Sequence, residues 1–260
     1  MHTTAPWTAF AHAGDFPFDA DRVVAQWAKL HAGDQEPLPQ DPKVLAAWVL
    51  FHQGAFQNAV EAGLEAGPAG MTVANKATCI YANYLEPKEK TRLDLFLQVA
   101  ERAAAQALAE PGNANAFYWQ AYALGRYSQG ISVAKALAQG LGGTVKSTLE
   151  AAIRLQPNHA DAHIALGAFQ AEVIDKVGAL IGNMTYGVKK EASLGLFQRA
   201  LTLTPQSAIA RIELANALVM LEGDDRMAEA TGLYELAAAS TPMDAKERLD
   251  VELAQTELAD

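Results

Sequence analysis

A single cysteine, Cys79, stands in 260 residues. It excludes an internal disulfide and a cysteine-built zinc site, and its apolar neighbours in Ala77-Thr-Cys-Ile-Tyr81 predict a buried thiol in a reducing compartment. Positive charge is also scarce: 20 Lys and Arg against 30 Asp and Glu leave a formal charge of −10. That field repels phosphate backbones and excludes nucleic acid as a partner class. No apolar run reaches membrane-spanning length without a Gly, Pro or charge interrupting it. Met1-His-Thr-Thr-Ala-Pro-Trp7 lacks the basic start, apolar run and small-residue cleavage site of a secretory signal. The expectation is a cytoplasmic protein with no membrane partner. Alternating β-branched patterns are missing too, which leaves no signal for a sheet.

What the sequence has instead is alanine, about a fifth of all residues, and a repeat. Pro111-Gly-Asn-Ala-Asn-Ala-Phe117, Pro157-Asn-His-Ala-Asp-Ala-His163 and Pro205-Gln-Ser-Ala-Ile-Ala-Arg211 share P-x-x-A-x-A. Upstream, Leu149-Glu-Ala-Ala-Ile-Arg-Leu-Gln-Pro157 aligns with Phe197-Gln-Arg-Ala-Leu-Thr-Leu-Thr-Pro205 and with Tyr234-Glu-Leu-Ala-Ala-Ala-Ser-Thr-Pro242. Each unit reads as an apolar helix, a proline stop and a new helix. Leu149 and Ala152, Phe197 and Ala200, and Tyr234 and Ala237 fall on one face, where the alanine lets a neighbouring helix approach. The proline then ends the helix, because it has no N–H and disfavours α geometry in the residue before it.

These residues resemble the tetratricopeptide repeat family, whose 34-residue helix-turn-helix carries an L-G pair in its first helix and F, A and P in its second. Leu166 and Gly167 supply the pair; Phe197, Ala200 and Pro205 supply the rest. Over about residues 45 to 240 the chain is more closely similar to bacterial relatives of the regulator of microtubule dynamics proteins, through Val73-Ala-Asn-Lys-Ala-Thr-Cys-Ile-Tyr-Ala-Asn-Tyr-Leu-Glu86, Ala134-Lys-Ala-Leu-Ala-Gln-Gly-Leu-Gly-Gly143 and Thr185-Tyr-Gly-Val-Lys-Lys190. The resemblance implies an all-α fold, a right-handed superhelical stack of helix pairs. The stop prolines at 111, 157, 205 and 242 are 46, 48 and 37 residues apart, longer than the family's 34. The excess predicts insertions within pairs, with first helices extended over about Asn115 to Ala138, kinked at Gly130, and Ala160 to Leu180.

The expected division is an N-terminal extension, 1–42, with one helix near Asp19 to His31; a repeat domain, 43–242, with pairs near 43–66, 71–109, 115–156, 160–204 and 208–240; and a polar C-terminal capping helix, 243–260, with Asp244 as N-cap.

Motifs for chemistry are thin. Gly140-Leu-Gly-Gly-Thr-Val-Lys-Ser147 approaches the phosphate loop G-x-x-x-x-G-K-S/T, but Val145 replaces the glycine before the lysine and no strand precedes it. Lys146, Lys189 and Lys190, near helix N-termini after the two insertions, retain the character of a weak anion site. His159 and His163 have the spacing of a helical metal pair but no third ligand, so a metal site is not expected. His2, His12, His31 and His52 do not cluster in sequence. Nucleophile motifs are absent, Asp224-Asp225 reads as a loop, and neither an enzyme nor a cofactor is expected.

The repeat instead implies recognition along a concave face lined by first helices. Counting from each proline places Asn115, Tyr118, Tyr122 and Arg126, then Ile164, then Asn216 on that face, where rings supply area and amides satisfy a peptide backbone. The expected function is a noncatalytic scaffold for a protein or peptide. Its alternatives are a transport-related accessory binding a small molecule or anion, and self-assembly through exposed repeat edges.

Overall fold

A computed structural model describes residues 6–259, and every regular element among them is helical. After an extended N-terminal strap come α1 (Ala20–Leu30), α2 (Pro42–His52), α3 (Phe56–Glu65), α4 (Met71–Tyr84), α5 (Glu89–Ala109) and α6 (Ala114–Gln129). The chain continues through α7 (Val133–Ala138), α8 (Leu141–Leu155), α9 (Ala160–Val177), α10 (Ala179–Tyr186) and α11 (Lys190–Leu203). It ends with α12 (Ala208–Glu222), α13 (Met227–Ala238) and α14 (Ala245–Ala259). The pairs α2/α3, α4/α5, α6/α8, α9/α11 and α12/α13 form the α-solenoid that the repeat implies.

The P-x-x-A-x-A motif is a helix-start device. Its third residue is the N-cap: the side chains of Asn113, His159 and Ser207 accept from the backbone N–H groups of Ala116, Ala162 and Ala210. Those three alanines are themselves fully buried, so the helices that follow begin in close contact with their neighbours. Pro242-Met-Asp244-Ala245 repeats the pattern, with Asp244 accepting from the Glu247 N–H at 2.9 Å. By this signature α14 is the first helix of a further unit.

Large side chains meet small ones across the pairs. A Cβ placed on Gly167 would lie 2.8 Å from the Phe197 ring, so the L-G pair exists to receive that phenylalanine. Phe197, Ala200, Leu149 and Ala152 are all essentially inaccessible to solvent.

The insertions fold otherwise than expected. Neither first helix is extended: α6 stops at Gln129 with Gly130 as its C-cap, and α9 stops at Val177 before Gly178, whose φ of +83° breaks the helix. Separate short helices, α7 and α10, occupy the inserted stretches. Leu141-Gly-Gly143 opens α8 and is not a loop, and Gly142 lies under the Tyr186 ring of α10.

The solenoid curls until its ends touch. Ala245 and Leu249 of α14 enter the same apolar core as Trp48, Phe51 and Phe56 of the first pair. His52 Nδ1 on α2 meets Asp244 Oδ2 at 2.7 Å, and the Tyr84 hydroxyl on α4 donates to Asp250 Oδ1 at 2.5 Å. The strap joins this seam: Trp7 stacks on Tyr81 with ring centroids 3.9 Å apart, and His12 meets Glu252 of α14.

Candidate functional site

Curling encloses a lumen lined chiefly by the first helices α4, α6, α9, α12 and α14, with Val145 and Leu149 of α8 completing the wall. Its cavity measures about 110 Å³. Tyr118, Tyr122, Arg126 and Ile164, expected on the concave face, all line it, together with Tyr84, Trp119, Phe169 and Ile209. The register counted from the prolines therefore carries through α6 and α9. Tyr118 is 6% exposed and packs on Trp119 and His159, so it supports the wall as well as facing the space. Two polar bridges cross between the helices. Arg126 Nη2 donates to Glu213 Oε1 at 2.8 Å, joining α6 to α12, while its guanidinium lies 5.4 Å from the Tyr122 ring centroid. Gln129 donates to Glu172 at 3.0 Å, joining α6 to α9. The indole N–H of Trp119 is buried with no acceptor.

Asn115 and Asn216, the other two expected groove residues, do not line this cavity. Asn115 is buried in the first turn of α6, within a hydrogen-bonded relay. The Ala162 N–H donates to His159 Nδ1, leaving His159 Nε2–H to donate to Asn115 Oδ1 at 2.9 Å. The Asn115 amide then donates to Glu36 Oε2 at 2.6 Å. Burial lowers the His159 pKa to about 4, consistent with the neutral ring that this pattern requires. Asn216 accepts from the Tyr234 hydroxyl at 2.7 Å, tying α12 to α13.

Lys76, Asp161 and Lys246 line this lumen and also wall a second cavity of about 720 Å³. Lys76 Nζ donates to Asp34 at 2.6 Å, and His31 Nδ1 meets the other Asp34 oxygen at 2.9 Å. Burial alone would raise the Asp34 pKa, but Lys76 and His31 hold its carboxyl well below the usual range. Lys246 Nζ donates to Asp250 at 2.6 Å.

This layer contains what sequence spacing hid. His31 and His52, far apart in sequence, have ring centroids 5.3 Å apart, each with Nδ1 on an aspartate and Nε2 buried without a partner. His2 lies outside the described residues. His163, the second member of the expected helical pair, directs Nε2 to the Pro157 carbonyl at 3.0 Å, away from the His159 relay. No group of three or more His, Cys, Asp or Glu side chains suited to a metal occurs among the described residues. Cys79 is fully buried, and burial pushes its thiol well above the ordinary value.

The three lysines of the expected anion site do not line either cavity. Lys146 pairs with Glu150 one turn along α8, and Lys190 pairs with Glu222 at 3.1 Å. Lys189 is the residue before α11, and its backbone N–H donates to Gln170.

The profile of the family described as regulator of microtubule dynamics protein 1-3 matches residues 71–259, from the start of α4 to the end of α14. The chain belongs to that family. The match begins later and ends later than the resemblance read from sequence, so the regulator of microtubule dynamics family pattern includes α14 but not α1 to α3. Among solved structures, the chain is similar to TTC0263, a thermophilic TPR protein in Thermus thermophilus. Identity is 18%, the TM-score is 0.57, and the match covers 82% of this chain and 97% of that one. At that identity the likeness establishes the repeat fold. No curated protein matches the chain. Folds of this kind are generally protein-interaction scaffolds and typically non-catalytic. No helix among the described residues is long and apolar enough to cross a membrane.

Proposed function

We propose that the protein is a noncatalytic scaffold that binds a segment of a partner protein at its concave face, in the cytoplasm. The observation that carries this reading is the convergence of Tyr118, Tyr122, Arg126 and Ile164 from two helices on one open space. Rings with polar rims beside ionic bridges suit a peptide, because they bury apolar area and still satisfy amides. A cavity this small takes a side chain, with the rest of the segment lying across a mouth of the lumen. The anion-binding alternative draws less support, since Lys146 and Lys190 already pair with carboxylates.

Panning a displayed random-peptide library against the immobilised protein tests the reading. Tyr122→Ala, which removes a half-buried lining ring, and Ala168→Phe, which fills the lumen, should each weaken selected peptides about tenfold or more. Leu108→Ser, at an outer position of α5 that is 86% exposed, should leave them unchanged. Peptides insensitive to both lumen substitutions would place recognition elsewhere.

A further inference from the structure

α14 is held on two sides, and unequally. Toward its own end of the solenoid, Val251 and Ala254 are buried in one apolar cluster with Ala208 and Ile212 of α12 and Ala237 of α13, and Tyr234 and Leu253 pack against it. Toward the first pair, Leu249 is the one large apolar side chain among the described residues that α14 sends into the core, beside the small Ala245. The other ties of α14 to α2 and α4, His52 to Asp244 and Tyr84 to Asp250, are polar, and water can replace such bonds when the surfaces part.

The strap, residues 6–18, supplies what the seam lacks. It is fastened to the N-terminal side: Trp7 stacks on Tyr81, the Trp7 N–H donates to Gln57 Oε1 at 2.9 Å, the Gln53 amide donates to the Phe18 carbonyl at 2.7 Å, and Phe16 and Phe18 are buried. From that base Phe10 reaches α14. Gly54 makes room for the meeting: its φ is +86°, and a Cβ there would lie 2.3 Å from the Phe10 ring and 3.0 Å from the Ala245 Cβ. Two residues further on, His12 meets Glu252, with both side chains partly exposed. The strap therefore grips the first pair and α4 at many points and α14 at two. If the seam parts, the strap stays with the N-terminal side and α14 leaves.

The departure of α14 alters the concave face. Lys246, Glu247, Asp250 and Val251 of α14 wall the cavity of about 720 Å³, and Lys246 also lines the lumen. Moving α14 outward removes a wall residue common to both spaces and joins them. The closed lumen, at about 110 Å³, admits a side chain but not the backbone that carries it.

We infer that Phe10 and His12 form a latch that holds the ring closed, and that the lumen receives the backbone of a partner segment only when α14 is released from that latch. A partner that binds the open ring alone shifts the equilibrium toward it. The inference concerns regulation of the concave face and rests on the reading of that face given above. The strap lies outside the family match over residues 71–259 and α14 lies within it, so the latch is an addition to the solenoid that the family pattern describes.

The test needs no partner. Ala168→Cys places a thiol on the lumen wall of the full chain, and its labelling is followed with iodoacetamide, which is small, and with fluorescein maleimide, which a space of about 110 Å³ does not admit. Adding Phe10→Ala and His12→Ala should speed the maleimide reaction about tenfold or more, and the iodoacetamide reaction by about threefold or less. Cys79 is the internal control, because it is fully buried in a cluster with side chains of α5 and α6 to which no described residue of α14 belongs. Unfolding exposes both thiols, whereas release of α14 exposes only the one on α9. Equal acceleration at Cys79, or none at Ala168→Cys, would overturn the latch. Peptides from the panning above should bind the Phe10→Ala, His12→Ala chain about threefold more tightly or better. Unchanged affinity would overturn the control of the concave face by the latch. Failure of those peptides to respond to Tyr122→Ala would instead remove the scaffold reading and leave the labelling result standing.

Discussion

Glu36 sits beneath the first turn of α6, where burial pushes its pKa up to about 8, aided by the Asp34 charge and opposed by the hydrogen bond from Asn115. A carboxyl whose folded value exceeds its unfolded value binds more protons in the folded state. Stability contributed by the protonated form is therefore present at low pH and is lost as pH rises from the ordinary glutamate range through about 8. Glu36→Gln keeps an acceptor for Asn115 and removes the titration. Its advantage in urea-unfolding free energy should grow over that interval and level off above it; a difference independent of pH would show that Glu36 titrates alike in the folded and unfolded chains. His31 and His159 act in the opposite direction: burial lowers both to about 4, so stability falls as pH drops from the ordinary histidine value toward that point. At this scale the sequence was legible where a residue's role follows from its own helix. Tyr118, Tyr122, Arg126 and Ile164 kept the register. Asn115 did not, because its partner Glu36 comes from the segment after α1, and no periodicity within α6 encodes that contact.

Among the elements, the starts of the first helices were the most readable, since the cap and the buried alanine occupy fixed places after each proline. α14 obeys the same rule but has a double attachment. Asp244 accepts from the Glu247 N–H as helix cap and also meets the buried His52 ring. Asp244→Ala removes both and should cost about 2–4 kcal/mol, more than a cap alone. His52→Ala and the double variant, followed by chemical denaturation, should give a coupling energy of about 1 kcal/mol or more. Strict additivity would mean that the two side chains do not interact. Of the acidic residues that suggested a solvated capping helix, Glu247, Asp250, Glu252 and Glu257, Asp250 instead bonds Tyr84 and Lys246 at the seam and Glu252 meets His12 of the strap, and composition alone does not distinguish those settings. The inserted helices α7 and α10 were hidden for a related reason. Their glycine breaks sit in alanine-rich or apolar sequence that reads equally well as a continued helix.

For the molecule as a whole, contact between α14 and α2 changes how disturbance spreads. In an open array each unit answers only to its neighbours, so deleting the last helix would loosen α12 and α13 alone. Here, removing residues 243–260 should also speed amide exchange in α2 and α4, near the opposite end of the chain, because His52 and Tyr84 lose their partners. Protection of α2 and α4 unchanged by the deletion would mean that the seam carries little energy. The fold class was evident from the repeat, whereas closure depends on summed rotations between pairs and on side chains that meet only after a full turn.

A structure in which the sixth first-type helix rests against the opening pair also has an arithmetic consequence. Linear arrays can gain or shed a module by duplication and still function, but a sealed circle accommodates only the copy number that brings its ends into register. Variation among descendants of this chain should therefore accumulate outward, in segments such as α7 and α10, while the tally of modules stays constant.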